Sequence, residues 1–304
     1  MEEEVYRNAT VDKQALKALS QRSDAKGLVQ LGGHLGLLLV SGSTVLLSEQ
    51  ALVYAAALFA HGVALVFLFA PLHECIHRTA FRSRWLNNLV AQVCGLILAL
   101  PAGYFRAFHF QHHRFTQDPG QDPELAVSPP ESLAGYVLHV SGLPYWWERS
   151  RTILHHTLGR VGENFIVGRQ RSEILREARS HLAIYLILLV GSLWAGSSIL
   201  LDLWVLPVLL GQPLLRLFLM AEHSGCPQTA DMLINSRTTE TNGALQWLCW
   251  NMNRHGAHHA YPALPFRALP AADVLLAKHQ TMTRSRGYGA VQRDILRRIQ
   301  GSAK

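Results

Sequence analysis

The chain has 304 residues, of which 49% are apolar and only 16% charged, well under the roughly 25% charge typical of soluble globular domains. Its formal net charge of +7 does not point to nucleic acid, because the basic residues cluster beside apolar segments, the positive-inside pattern of a membrane protein. Cys75, Cys94, Cys226 and Cys249 form no CxxC pair, which excludes a disulfide framework. Residues 1–26 mix acids and bases without the charged-then-apolar order of a signal peptide, so insertion is expected to use internal segments. Neither Leu28–His77 nor Ser180–Leu215 contains a Lys or Arg, as a bilayer demands where a central charge costs several kcal/mol. Spans of roughly 20 apolar residues are read at 27–47 and 51–72, one hairpin, and at 181–200 and 203–221, a second. Pro207 and Pro213 are expected to kink the last of them.

Between the hairpins, residues 89–102 (LVAQVCGLILALPA) are apolar but too short to cross, and read as a re-entrant or surface-lying piece. Residues 117–130 form a Pro- and Gly-rich loop. Arg169–Arg179 reads as a short interfacial helix with Ile174 and Leu175 toward lipid. The loop between the hairpins holds twelve Arg from Arg78 to Arg179, and the tail after His223 holds ten basic residues. The hairpin tips hold none, so both termini and a cap of 73–180 and 222–304 are assigned to the cytosol. The expectation is a single all-α domain over 1–304, integral to the membrane, with four transmembrane helices in two hairpins under a helical cytosolic cap.

Histidine spacing carries the functional signal. Box one is HECIH (His73 to His77), box two HFQHH (His109 to His113) and box three HGAHH (His255 to His259), with His223 in AEHSG after the last span. Residues i and i+4, or i and i+3, share a helix face, so His73 and His77 can reach one metal. In HxxHH the last two histidines point about 100° apart, so one helix can serve two metals. His73, His77, His109, His112, His113, His223, His255, His258 and His259 are too many for one ion and suit two, with positions left for oxygen. Imidazole suits iron, zinc, copper and nickel. HECIH alone also matches the zinc-peptidase HExxH, with Glu74 as general base.

Taken together, the boxes and the stretches HECIHRTAFRSRWLNN, FHFQHHRFTQDPGQDPE and AEHSGCPQTADMLINSRTTETNGALQWLCWNMNRHGAHHAYPALPFRALP resemble the membrane fatty acid desaturase and hydroxylase superfamily over residues 30–285. The resemblance implies four spans with a cytosolic cap, a di-iron centre held by the nine histidines, and O2 as co-substrate. Acyl-CoA desaturases of the superfamily have Asn four residues before the isolated histidine; here that position is Leu219. Glu222-His223 is more similar to the alkane-hydroxylase and general bacterial branches. Desaturation stays the favoured expectation, with hydroxylation or oxidative decarboxylation of a similar chain left open. The expected partners are a fatty acyl or lipid-like substrate in the membrane and an external electron donor of ferredoxin, rubredoxin or cytochrome type, steered by the basic face.

Glu74, Asp122 and Glu222, with Asp118, Asn251 and Asn253, are candidates to brace the ligands through their outer ring nitrogens. His34 and His61 are expected to be neutral and to bond across helices. His155 and His156 read as interfacial, as do Tyr145, Trp146 and Trp147, while Trp247 and Trp250 are expected to pack beneath the metal site. His139, His181 and His279 carry no signal.

Overall fold

A computed structural model describes residues 12–278 and 281–301. The first eleven residues of the stretch read for a signal sequence, and His279, lie outside the described residues. After a short α1 (Lys13–Leu19), α2 (Asp24–Leu47) starts where Ser23 accepts the Lys26 N–H and runs 24 residues. It returns through α3 (Ala51–Val66), and after one turn at Phe67 and Leu68 the chain continues as α4 (Phe69–His77). Then come α5 (Arg84–Ile97) and α6 (Ala102–Phe115), bent by 99° at the break between them. Next are α7 (Leu133–Val140), α8 (Leu143–Thr157), α9 (Arg169–Trp194) and α10 (Leu206–His223). The remainder holds α11 (Met232–Asn235), β1 (Arg237–Thr239), α12 (Gly243–Leu248), α13 (His255–Ala260), α14 (Leu269–Ala277), β2 (Thr283–Ser285) and α15 (Tyr288–Gly301).

Asp24–Leu47, Ala51–His77 and Leu201–His223 are long and apolar enough to cross a membrane. Their outward faces carry large apolar side chains such as Leu39, Leu47 and Leu52, an exposure that suits lipid contact rather than water. The segment expected to span at 181–200 differs from the reading. Its helix begins at Arg169 and stops at Trp194, where Gly196 turns the chain at φ 58°, so its apolar run is shorter than those of the other three. Arg169–Arg179 is accordingly the polar first half of that helix and not a separate surface piece. Ile174 does not face lipid; it is 2% exposed and packs in the core with Tyr104 and Phe105. From the same half, Glu177 accepts the Gly103 N–H (2.8 Å) and the Gln92 amide (2.7 Å). This supplies an acceptor to the first turn of α6, which has no side-chain cap of its own.

The spans are drawn together by small residues and polar side chains. A Cβ on Gly62 would lie 2.2 Å from the Pro207 carbonyl, and one on Gly211 would lie 2.3 Å from the Gly62 carbonyl, so α3 and α10 meet backbone to backbone. Pro207 has no N–H to offer Leu203 one turn earlier, and the helix there is π-wound over Leu201–Val205. The released Leu203 carbonyl accepts from His61 Nε2 (3.1 Å), while His61 Nδ1 meets Ser41 Oγ (2.9 Å). His34 Nε2 donates to the Ala64 carbonyl (2.8 Å). Both histidines thus bond across helices.

The polar portion is tied by a two-stranded parallel sheet, Thr238 against Arg284. Beneath it, buried Asp273 receives Arg254 (2.9 Å), Arg284 (2.9 Å) and the Thr238 hydroxyl (3.0 Å). Arg237 reaches the other way and donates to the Ala221 and Ser224 carbonyls (2.6 and 2.9 Å), holding the end of α10 where carbonyls lack helical partners.

Candidate metal centre

Each histidine box is helical, and helix geometry sorts its side chains. His73 and His77 end α4, box two lies on the last two turns of α6, box three forms most of α13, and His223 ends α10. All nine histidines converge, in two groups. His73, His77, His109, His113 and His258 form one, and His112, His223, His255 and His259 the other; within each group one ring nitrogen per residue lies within 4.8 Å of all the rest. The i, i+4 pairs (His109 with His113, His255 with His259) stay together, and the i+3 member (His112, His258) crosses to the neighbouring group.

Nitrogen spacing within the groups fits metal coordination. A metal–imidazole bond of about 2.1 Å sets adjacent ligand nitrogens about 3 Å apart in an octahedral arrangement. His113 Nε2 lies 3.0 Å from both His109 Nε2 and His258 Nε2, and His223 Nε2 lies 3.2 Å from His112 Nε2 and 2.9 Å from His255 Nε2. The Nε2 atoms of His73, His77 and His259 are buried without a hydrogen-bond partner, a costly state that a cation relieves. Burial first, and the neighbouring imidazoles second, hold His255, His258 and His259 well below the ordinary histidine range, so their rings are neutral and their lone pairs free.

The outer nitrogens of the four-histidine group identify the inward-facing atom. His223 Nδ1–H donates to the Asn235 carbonyl (3.1 Å), which can only accept. Thr116 spends its hydroxyl proton on the His112 carbonyl (2.8 Å), so its oxygen accepts from His259 Nδ1–H (3.2 Å). Asp122 accepts from His112 Nδ1–H at 2.9 Å, and His255 Nδ1 faces Glu222 at 3.4 Å. The first three rings therefore present Nε2 lone pairs inward. Burial opposes the Asp122 charge. The His112 bond and the backbone N–H groups of Gln117 and Glu124 outweigh it and hold that carboxyl below its ordinary value.

Other sequence-derived candidates fall elsewhere. Glu74 is buried, and its Oε2 accepts from the Thr79 hydroxyl (2.7 Å) and the Phe266 N–H (3.0 Å), tying α4 to the loop after box three instead of bracing a histidine. Asp118 accepts from the Gln121 side chain, Asn251 from Gln246, and Asn253 donates to the Thr239 carbonyl. Trp250 packs on Phe266 in the core, but Trp247 lies against His34 of α2. His155 is exposed, whereas its neighbour His156 is buried and bonded to Glu163 (3.1 Å). Thr116 and Glu124, the latter 3.7 Å from His112 Nδ1, were missed. Thr116 had a signal, one turn beyond His112 at the C-terminal cap of the same helix; the Asn235 contact is a main-chain carbonyl and had none.

Residues 49–286 match the model of the fatty acid desaturase family. An sn-1 oleoyl-lipid 12-desaturase of Picosynechococcus sp. is 25% identical over 68% of this chain and 64% of its own length. Beta-carotene 4-ketolase 3 of Haematococcus lacustris is 24% identical over 73% of the chain and 63% of its own length. A sphingolipid delta(4)-desaturase/C4-monooxygenase of Mus musculus is 27% identical over 67% and 59%. The chain thus spans less than two thirds of the length of these relatives.

Proposed function

The chain belongs to the fatty acid desaturase family, and from that premise we propose an O2-dependent oxidase that holds two iron ions and desaturates a fatty acyl or other lipid-like chain. The observation that carries this reading is the convergence of nine imidazoles, six buried and three half-buried, into two adjoining groups. His73, His77, His109, His113 and His258 would hold one ion, and His112, His223, His255 and His259 the other. Bound there, the pair supplies the activation of O2 needed to remove hydrogen from an unactivated C–H bond.

The chain's own residues position and shield. Asp122, Thr116, the Asn235 carbonyl and Glu222 fix ring orientation from outside. Phe69 and Phe105 stand beside His73, with ring centroids 6.0 and 6.4 Å away, an apolar wall suited to a hydrocarbon chain and hostile to water. Two electrons per turnover come from an external carrier of ferredoxin, rubredoxin or cytochrome type.

Membrane placement follows from chain direction. The helical run Leu201–His223 ends at the centre, so Leu201 would lie on the far side of the bilayer and α6 to α8 on the near side. The apolar second half of α9, with the chain that follows Trp194, would carry the chain across as the fourth span. The Arg-rich face then lies in the cytosol with the centre and both termini.

A second reading is hydroxylation or a related C–O bond-forming oxidation by the same centre, favoured by the relatives named as ketolase and monooxygenase. The zinc-hydrolase alternative is disfavoured, because the Glu74 carboxylate is engaged by Thr79 and Phe266 and six histidines would be idle. Mass spectrometry of lipids from cells expressing the wild type or His258→Ala tests the proposal. A product lighter by two hydrogens, absent from the variant, is expected. A product heavier by one oxygen would establish hydroxylation instead, and identical lipid profiles would remove the lipid-oxidase reading for the lipids tested.

A further inference from the structure

One surface beside the centre combines unpaired cations with an aromatic ring in contact with a candidate ligand. Arg106, Phe110 and Arg114 recur every four residues along α6 and share one helix face. Phe110 is exposed, yet its ring lies 5.2 Å from that of His77. The Arg106 guanidinium sits over the same ring, 4.1 Å from its centroid. Arg78 follows His77 in a left-handed turn, φ 60°, and stands close enough to Arg106 for the two cations to repel. Among the described residues no carboxylate pairs with Arg78, Arg106 or Arg114, and Arg106 NH1 is buried with no hydrogen-bond partner.

Like charges held together without a counter-charge are unfavourable, and an acidic surface arriving from outside relieves them. We propose that this patch is the docking surface for an acidic one-electron carrier protein, and that electrons enter the centre through Phe110 and His77. The proposal rests on the di-iron reading and deepens it. Per turnover, two reduced carriers each give up one electron; these, two protons from solvent and two hydrogens from the substrate reduce one O2 to two waters. An anionic bilayer would also satisfy the arginines, but it has no use for an exposed ring in contact with a candidate ligand. The aromatic contact therefore favours the redox protein.

The test uses the full chain, iron-loaded in neutral-lipid nanodiscs, with a plant-type [2Fe–2S] ferredoxin as the carrier. Stopped-flow rates of centre reduction by ferredoxin are compared with those by dithionite, and binding of oxidised ferredoxin and iron content are measured alongside. Arg114→Glu is expected to lower the bimolecular ferredoxin rate about tenfold and to flatten its salt dependence, with weaker binding. Its iron content and dithionite rate should match the wild type, and the milder Arg114→Gln should fall between. Phe110→Leu should slow reduction within the saturated complex while binding stays intact. Wild-type rates and salt dependence in Arg114→Glu and Phe110→Leu would overturn the proposal. So would an Arg114→Glu that loses affinity for anionic vesicles yet is reduced by ferredoxin at full rate, which assigns the patch to lipid. A chain that loads no iron, or iron that dithionite does not reduce, counts against the di-iron reading itself.

Discussion

At the scale of single residues, the centre depends on atoms that do not face it. Asp122 is the only carboxylate hydrogen-bonded to a candidate ligand at 2.9 Å among the described residues, and it is locked in place by two backbone N–H groups. Replacing it with Asn keeps the shape but removes the charge that fixes the His112 proton on Nδ1. Asp122→Asn is therefore expected to weaken iron retention about 10- to 100-fold, read as the chelator concentration that strips the protein. Iron retention equal to the wild type would show that the Asp122 charge contributes nothing. Histidine positions were fully legible in the sequence because i, i+3 and i+4 spacing on a helix has one geometric meaning. The braces were only partly legible. Asp122 was visible as an acid near box two, but Glu74 looked equally suitable within HECIH, and its engagement by the Phe266 N–H is a contact 192 residues away in the chain.

At the scale of elements, the centre is held by how closely two helices approach. Helix α3 leads through α4 to His73 and His77, and α10 ends at His223, so the gap between α3 and α10 sets the separation of ligands from both groups. With the Pro207 carbonyl 2.2 Å from a Cβ at position 62, Gly62→Val must push the helices apart. It is expected to cost about 1–3 kcal/mol and to lower iron content, measured by thermal unfolding in detergent and metal analysis; an unchanged melting point with two irons bound would refute it. The sequence disclosed His34 and His61 as cross-helix bonders because a buried imidazole in a span must find a carbonyl or hydroxyl. It misplaced Ile174 because an amphipathic stripe looks the same whether it meets lipid or protein. The short apolar run of α9 was overestimated for a related reason: hydropathy continues past Trp194, while the helix does not.

At the scale of the whole molecule, four helices far apart in sequence, α4, α6, α10 and α13, bring their ends together at the imidazoles. Metal removal should therefore loosen the fold as well as silence chemistry. Chelation is expected to lower the melting temperature by about 5–10 °C, restored by ferrous iron, and an unshifted transition would show that the ligand cage is rigid without its ions. The class of fold was legible because the lack of charge and the box spacing each demand it, whereas the bend of 99° between α5 and α6 was foreseen only as a segment that does not cross. The sorting of each HxxHH box has a thermodynamic result of its own. Boxes two and three both straddle the two groups, so filling either position immobilises the helices that present most of the other's ligands. Occupancy should then behave as a coupled equilibrium, with empty and doubly filled chains dominating a titration and the singly filled species scarce.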